Sequence, residues 1–186
     1  MRAAWVLMVL ALGGAHATPV AAGEREDAEL HRLVEDMGSM AEQGHWSGVE
    51  RTYERMLELE GVQIPYDAHY TAAQAARSTG DMSLVLERLE QAAQIKRPPG
   101  LSGWLEEIEG SYGRVEISCT SRKRPDLKPT VAILHPDMRN QIALANTAIQ
   151  ESCAYKGLLP AGSYTLGKRS LEVVPGMSIR IDLGGK

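Results

Sequence analysis

The spacing of apolar residues changes near Gly113, and that change limits the folds open to this chain. Ahead of Gly113 apolar residues recur every three or four positions; beyond it they alternate, apart from one helical stretch after Pro136. A three-four spacing places one face of a helix in a core, and alternation places one face of a strand there. Helices in one block and strands in another predict an α+β chain, since an α/β sheet would interleave them. The boundaries read as an amino-terminal segment at 1–22, a helical domain at 23–110 and a small β-rich domain at 111–186 with one inserted helix.

In the helical block, Leu30, Leu33, Val34, Met37, Met40 and Ala41 trace one face from Glu26 onward, and Gly44-His45 ends the run. Trp46, Val49, Tyr53, Met56 and Leu57 trace a second, stopped by Gly61 and Pro65. A small-residue helix follows at Ala68, Ala72, Ala73, Ala75 and Ala76. After the turn at Gly80-Asp81, Met82, Val85, Leu89, Ala92 and Ile95 form a fourth. Beyond Pro98-Pro99-Gly100, the residues Trp104, Leu105 and Ile108 predict a short helix over 102–109.

The turns Gly44-His45-Trp46 and Gly80-Asp81-Met82 lie 36 residues apart, close to the ~34-residue period of tetratricopeptide repeats. The block resembles a degenerate pair of such repeats. The family's turn glycine and following large residue match Gly44 with Trp46 and Gly80 with Met82, and its aromatic position in the second helix falls on Tyr53 and Leu89. The small residue of its first helix is Ala73 in one unit and Met37 in the other; Val49 and Val85 occupy the small position of its second helix. Arrays of this kind work through concave surfaces and need three or more units or a cap. The resemblance therefore implies a partner-binding groove, with 102–109 as the capping helix.

In the second block, Val115, Ile117 and Cys119 alternate with Glu116 and Ser118 as a half-buried strand. Ser121-Arg122-Lys123-Arg124-Pro125-Asp126 reads as a solvated basic turn, and Val131 with Ile133 as a second strand. Pro136-Asp137 opens a helix through Met138, Ile142, Ala145 and Ile149, with Asp137 placed to cap its first turn. Strands are expected at 155–159, 163–166, 171–174 and 177–183, divided by Pro160-Ala161-Gly162, Gly167-Lys168 and Pro175-Gly176, as in a meander or small sandwich. The run Leu158-Leu159-Pro160-Ala161-Gly162-Ser163-Tyr164-Thr165-Leu166, followed by Val173-Val174-Pro175-Gly176, Ile179 and Ile181, resembles PEGA-type and carboxypeptidase-regulatory-type sandwich modules. That resemblance implies an inward-packed Tyr164 and an accessory, non-catalytic module at an envelope or extracellular surface.

Arg2, the apolar stretch 3–12 and Gly13-Gly14-Ala15-His16-Ala17 read as a secretory signal, cleaved after Ala17 or, as second choice, after Ala22. The apolar stretch is about half the ~20 residues of a spanning helix, so the chain is not expected to span a membrane. Export, to a Gram-negative periplasm or beyond the cell, predicts an oxidising compartment. There Cys119 and Cys153, the two cysteines of the chain, are expected to pair.

A net charge of -4 argues against a nucleic-acid partner. Residues 24–100 carry 15 acidic and 8 basic side chains, and 101–186 carry 9 and 11. The imbalance reads either as a solvated helical surface or as an acidic groove for a basic peptide. His31, His45, His69 and His135 make no metal-ligand spacing, and His135-Pro136-Asp137 has no Gly-x-Ser-x-Gly elbow to serve. Glu24, Glu26 and Asp27, and Glu106-Glu107, read as helix-start acids. Neither an enzyme activity nor a cofactor or metal is expected. Trp46, Tyr53 and Tyr70 are the candidate partner-binding residues where they are exposed; the other reading is packing between helices, which is the favoured one for Trp46 and Tyr53. The expected function is an exported adaptor or scaffold that binds a protein or peptide in the cell envelope. The alternative is a polysaccharide- or peptidoglycan-binding β module on a helical spacer.

Overall fold

A computed structural model describes residues 19–120, 124–132 and 135–184. The cleavage position Ala17 and most of the segment read as an export signal lie outside the described residues, as do Ile133 and Ser121-Arg122-Lys123 of the basic turn. The chain is α+β, with helices first and two small sheets after them.

The helical block comprises α1 (Pro19–Glu42), α2 (Trp46–Leu57), α3 (Tyr66–Thr79), α4 (Met82–Ile95) and α5 (Pro99–Ser111). Its first and third helices stop in the same way. Gly44 and Gly80 take φ of 70° and 76°, a left-handed conformation that costs a residue with a β-carbon about 1 kcal/mol or more. The His45 amide then reaches the Met40 carbonyl at 2.9 Å, and the Asp81 amide reaches that of Ala76 at 3.2 Å. Both are the six-to-one bond of a Schellman cap. They recur at the 36-residue offset visible in the sequence.

Alanines let α3 pack tightly on both sides, because helix separation follows side-chain size at the contact. Ala68, Ala72 and Ala75 join Leu33, Met37, Val49 and Met56 in one core, while Ala73 and Ala76 join Val85, Leu89, Leu101 and Ile108 in another. Helix α1 starts at Pro19, ahead of the expected Glu26, so Glu24, Glu26 and Asp27 are not helix-start acids. Glu106 and Glu107 likewise fall well inside α5, which begins at Pro99 in the favoured first position.

Six strands follow and pair into two sheets: β1 (Tyr112–Cys119), β2 (Leu127–Pro129), β3 (Ala154–Pro160), β4 (Gly162–Leu166), β5 (Arg169–Val173) and β6 (Ser178–Leu183). Helix α6 (Pro136–Ser152) interrupts them. One sheet has the order β3-β1-β6, with β3 antiparallel and β6 parallel to β1; the other is β2-β4-β5, antiparallel throughout. Val115, Ile117 and Leu159 of the first sheet share a core with Tyr164, Leu166 and Val173 of the second and with Ile142 and Ile149 of α6. The arrangement is therefore not a meander. Tyr164 is fully buried, its hydroxyl donating to the Pro160 carbonyl at 2.7 Å.

The second strand is not at Val131, which is 77% exposed. It lies earlier because Leu127 is the buried residue of that segment, paired with Leu166 of β4 and held on its other side by Asn146. The Asn146 side chain accepts the Leu127 amide at 2.8 Å and donates to its carbonyl at 2.7 Å, closing that sheet edge. Asp137 sits in the first turn of α6 without a side-chain cap bond, so it acts there only through its charge.

The two blocks meet through a buried polar junction. Gln141 of α6 is 1% exposed. Its Oε1 accepts the Met82 amide at 2.6 Å, and its Nε2 donates to Ser83 Oγ at 3.0 Å and to the Tyr155 hydroxyl at 2.9 Å. Ser83 Oγ accepts the Leu158 amide at 2.8 Å, and the Tyr155 hydroxyl donates to the Leu158 carbonyl at 2.6 Å. A β-carbon at Gly157 would collide with Ser83 Oγ and the Tyr155 ring, so only glycine lets β3 approach α4 this closely. Replacing Gln141 with Leu leaves the Met82 amide buried without an acceptor. The expected cost is about 2 kcal/mol, measured as a lower urea midpoint with an unchanged slope.

Cys119 and Cys153, at a sequence separation of 34, are joined, with Cα atoms 5.3 Å apart. The bond ties the end of β1 to the left-handed residue, φ 57°, that ends α6. Substituting both cysteines with alanine should lower stability by about 3 to 4 kcal/mol. Denatured, unreduced wild-type protein should show no thiol reactive toward a chromogenic disulfide.

Candidate interaction site

Tyr66, Tyr70, Gln74 and Arg77 fall on one side of α3, at three- and four-residue intervals, opposite the alanines that pack on α2. The rings of Tyr66 and Tyr70 stack at 5.7 Å, and Tyr70 meets Trp104 of α5 edge-to-face at 5.6 Å and 79°. Arg77 lies over Trp104 at 5.3 Å and Lys96 over Tyr66 at 4.1 Å. The result is an aromatic ladder with a cation over each outer ring.

Trp46, the first residue of α2, faces this ladder across an open hollow of about 560 Å³, whose wall includes Tyr70, Gln74, Arg77, Trp104 and Glu107. Trp46 and Tyr70 are half-buried. Such rings offer apolar area while keeping a face in water. The Trp104 indole N–H, by contrast, is buried and has no acceptor among the described residues. Arg77 and Glu107 pair at 3.5 Å on the rim, but both are well exposed, so the pair adds little stability.

Tyr53 does not join Trp46 and Tyr70. It is 1% exposed, and its hydroxyl donates to Gln91 Oε1 at 2.8 Å while lying 2.7 Å from His69 Nδ1. The Arg88 guanidinium lies over its ring at 4.8 Å, held by the Glu50 carboxylate and by the Ala72 carbonyl at 2.7 Å. Burial pushes the Tyr53 phenol up to about 12, against the lowering effect of Arg88. Tyr53 is thus a core residue that orients a buried polar cluster, because its helix face points at α3 and α4 rather than outward.

A larger groove, about 740 Å³, runs between α4 and the β3-β1-β6 sheet, lined by Glu87, Glu90, Arg114, Lys156 and Arg180 among others. Here the charge imbalance of the two blocks is partly answered within the molecule, since Arg114 of β1 pairs with Glu90 of α4.

The remaining sequence candidates stay apart. His31 pairs with Glu35 on the surface at 3.4 Å, His45 precedes α2, and His135 lies 3.9 Å from Asp137 at the start of α6. Among the described residues, no group of three or more His, Cys, Asp or Glu side chains is arranged to hold a metal, and no helix is long and apolar enough to cross a membrane. The tyrosines of the second block, Tyr112, Tyr155 and Tyr164, are all buried.

Sequence reasoning assigned Trp104 only to the cap and passed over Tyr66 and Arg77. The signal was present: Tyr66, Tyr70 and Arg77 share a helix side that the alanine pattern leaves unburied. No protein-family model, curated protein or solved structure matches the chain.

Burial lowers the His69 pKa, and bonds to Gln91 and the Ile64 backbone only partly offset this. A histidine depressed in the fold is neutral there, and protonation favours the unfolded chain. The stability it supports is complete above the unfolded value of ~6.5 and is lost as pH falls through the lower folded value. Thermal midpoints should therefore drop as the pH falls below the unfolded value of ~6.5, more steeply for the wild type than for His69→Gln.

Proposed function

We propose that the chain is an exported, non-enzymatic adaptor of the cell envelope that binds a protein or peptide through the hollow between Trp46, Tyr70 and Trp104. The observation that carries this reading is the convergence on one open hollow of the half-buried Trp46 and Tyr70 rings, backed by the buried Trp104 ring, from three helices. Aromatic anchors dominate protein interfaces because they bury large area at small entropic cost.

We read the helical block as a tetratricopeptide-like pair capped by α5. Matching Schellman caps at Gly44 and Gly80 support this, as does the position of the hollow on α3 and α5, the first helix of the second unit and the cap. The second block is read as a PEGA-like support that braces α4 and α5 through Tyr112, Leu158 and the Gln141 junction. Its buried tyrosines leave no ring platform for a sugar there, which favours the adaptor over the glycan-binding alternative. The Cys119–Cys153 bond accords with residence in an oxidising compartment, a periplasm or the exterior.

Crosslinking of the native chain in its envelope should attach a protein. Trp46→Ala and Tyr70→Ala should each weaken that complex about thirty-fold, whereas Tyr53→Phe should leave it intact and only lower stability. Capture of glycan without protein, or binding indifferent to Trp46 and Tyr70, refutes the reading.

A further inference from the structure

Two of the four sheet edges are closed from within. Ser83 takes the Leu158 amide on β3, and Asn146 takes both backbone groups of Leu127 on β2. On the edge of β6 the one side-chain bond among the described residues is that of Arg169 to the Asp182 carbonyl, which leaves the backbone of Ser178 and Arg180 uncovered, and an opening of about 380 Å³ separates this edge from β5. An unpaired edge is a template for another strand.

The backbone groups that β6 turns outward can be identified. The Arg114 amide of β1 bonds the Met177 carbonyl at 2.8 Å, so Ile179, Ile181 and Leu183, in step with Met177, face β1. Ser178, Arg180 and Asp182 therefore point their amides and carbonyls away from the sheet. The bond from Arg169 of β5 to the Asp182 carbonyl, at 3.0 Å, agrees with this. The side chains follow the same alternation: Arg180 and Asp182 are exposed, whereas Ile179, Ile181 and Leu183 are half-buried.

We infer that β6 pairs antiparallel with β6 of a second copy of this chain, with Ile181 on the two-fold axis. In that register Arg180 stands opposite Asp182 of the second copy, Asp182 opposite Arg180, and Ile179 opposite Leu183. Arg180 and Asp182 then exchange both backbone hydrogen bonds, as an outward-facing pair must. Shifting the register by two residues either way sets Arg180 against Arg180 or Asp182 against Asp182, and like charges directly opposite are unfavourable. Ser-Ile-Arg-Ile-Asp-Leu is thus self-complementary in charge and in apolar face.

The pairing also completes a row of alternating charge. Glu116 of β1 sits between Lys156 of β3 and Arg180 of β6, with Arg180 3.3 Å from its carboxylate. Asp182 of the second copy continues the sequence of signs. Two-fold closure makes the contact self-limiting, a dimer with one six-stranded sheet rather than a fibre. Arg169 releases the Asp182 carbonyl when the second strand docks, and it occupies that carbonyl in the single chain.

Sedimentation equilibrium of the disulfide-bonded full chain tests this. The wild type should show a reversible monomer–dimer equilibrium. Asp182→Arg, which leaves the Arg180–Glu116 pair in place, should weaken it about ten-fold or more, whereas Asp182→Glu, which keeps the charge, should leave it within about two-fold. In hydrogen exchange, the amides of Arg180 and Asp182 should gain protection as concentration rises. A monomer up to about 100 μM, a dimer indifferent to Asp182→Arg, or exchange at these amides independent of concentration would overturn the inference.

Discussion

One side-chain amide holds the two blocks of this molecule in register. Gln141 lies on α6, yet its oxygen caps the first turn of α4 and its nitrogen anchors the hydroxyls that receive β3. Buried polar groups cost heavily when unpaired, so a network with every member bonded permits one arrangement and penalises its neighbours. A purely apolar contact between helices and sheet would tolerate sliding. Here the donors and acceptors of Met82, Ser83, Tyr155 and Leu158 meet only when α4, α6 and β3 are placed as they are.

The same junction decides which surfaces are left open. By closing the β3 edge, Ser83 directs any strand addition in that sheet to β6. By seating α4 and α5 against Tyr112 and Leu158, the sheet supports the helix that carries Trp104. The aromatic hollow and the free strand edge thus belong to different blocks and can be occupied independently. One offers rings to a partner; the other offers backbone.

Much of the architecture could be read directly. The helical faces, the turns at Gly44 and Gly80, the helix after Pro136 and five of the strands rest on local rules, in which the spacing of apolar residues and the freedom of glycine act within a few positions. Trp46, Tyr53 and Tyr70 were legible as aromatics that either pack between helices or anchor a partner, and core packing of Tyr53 was the reading the sequence favoured. That Trp46 keeps a face in water was not legible, and the partners that bury Tyr53, His69, Gln91 and Arg88, come from two other helices. The second strand was misplaced for a related reason. Val131 has the higher strand propensity, but Leu127 has the partners, Asn146 and Leu166.

Sequence alone determined the order of helices and strands, the chain reversals and the residue types available for binding, because each follows from interactions among near neighbours. Tertiary structure decided which aromatics face out, which acids meet an arginine within the molecule, and which strand edges stay unpaired. These depend on residues distant in sequence: Gln141 and Met82 are brought within 2.6 Å by the whole fold. Neither spacing nor propensity encodes that contact. A hydrogen bond requires its two atoms to meet at one distance and angle, and only the packed chain sets both.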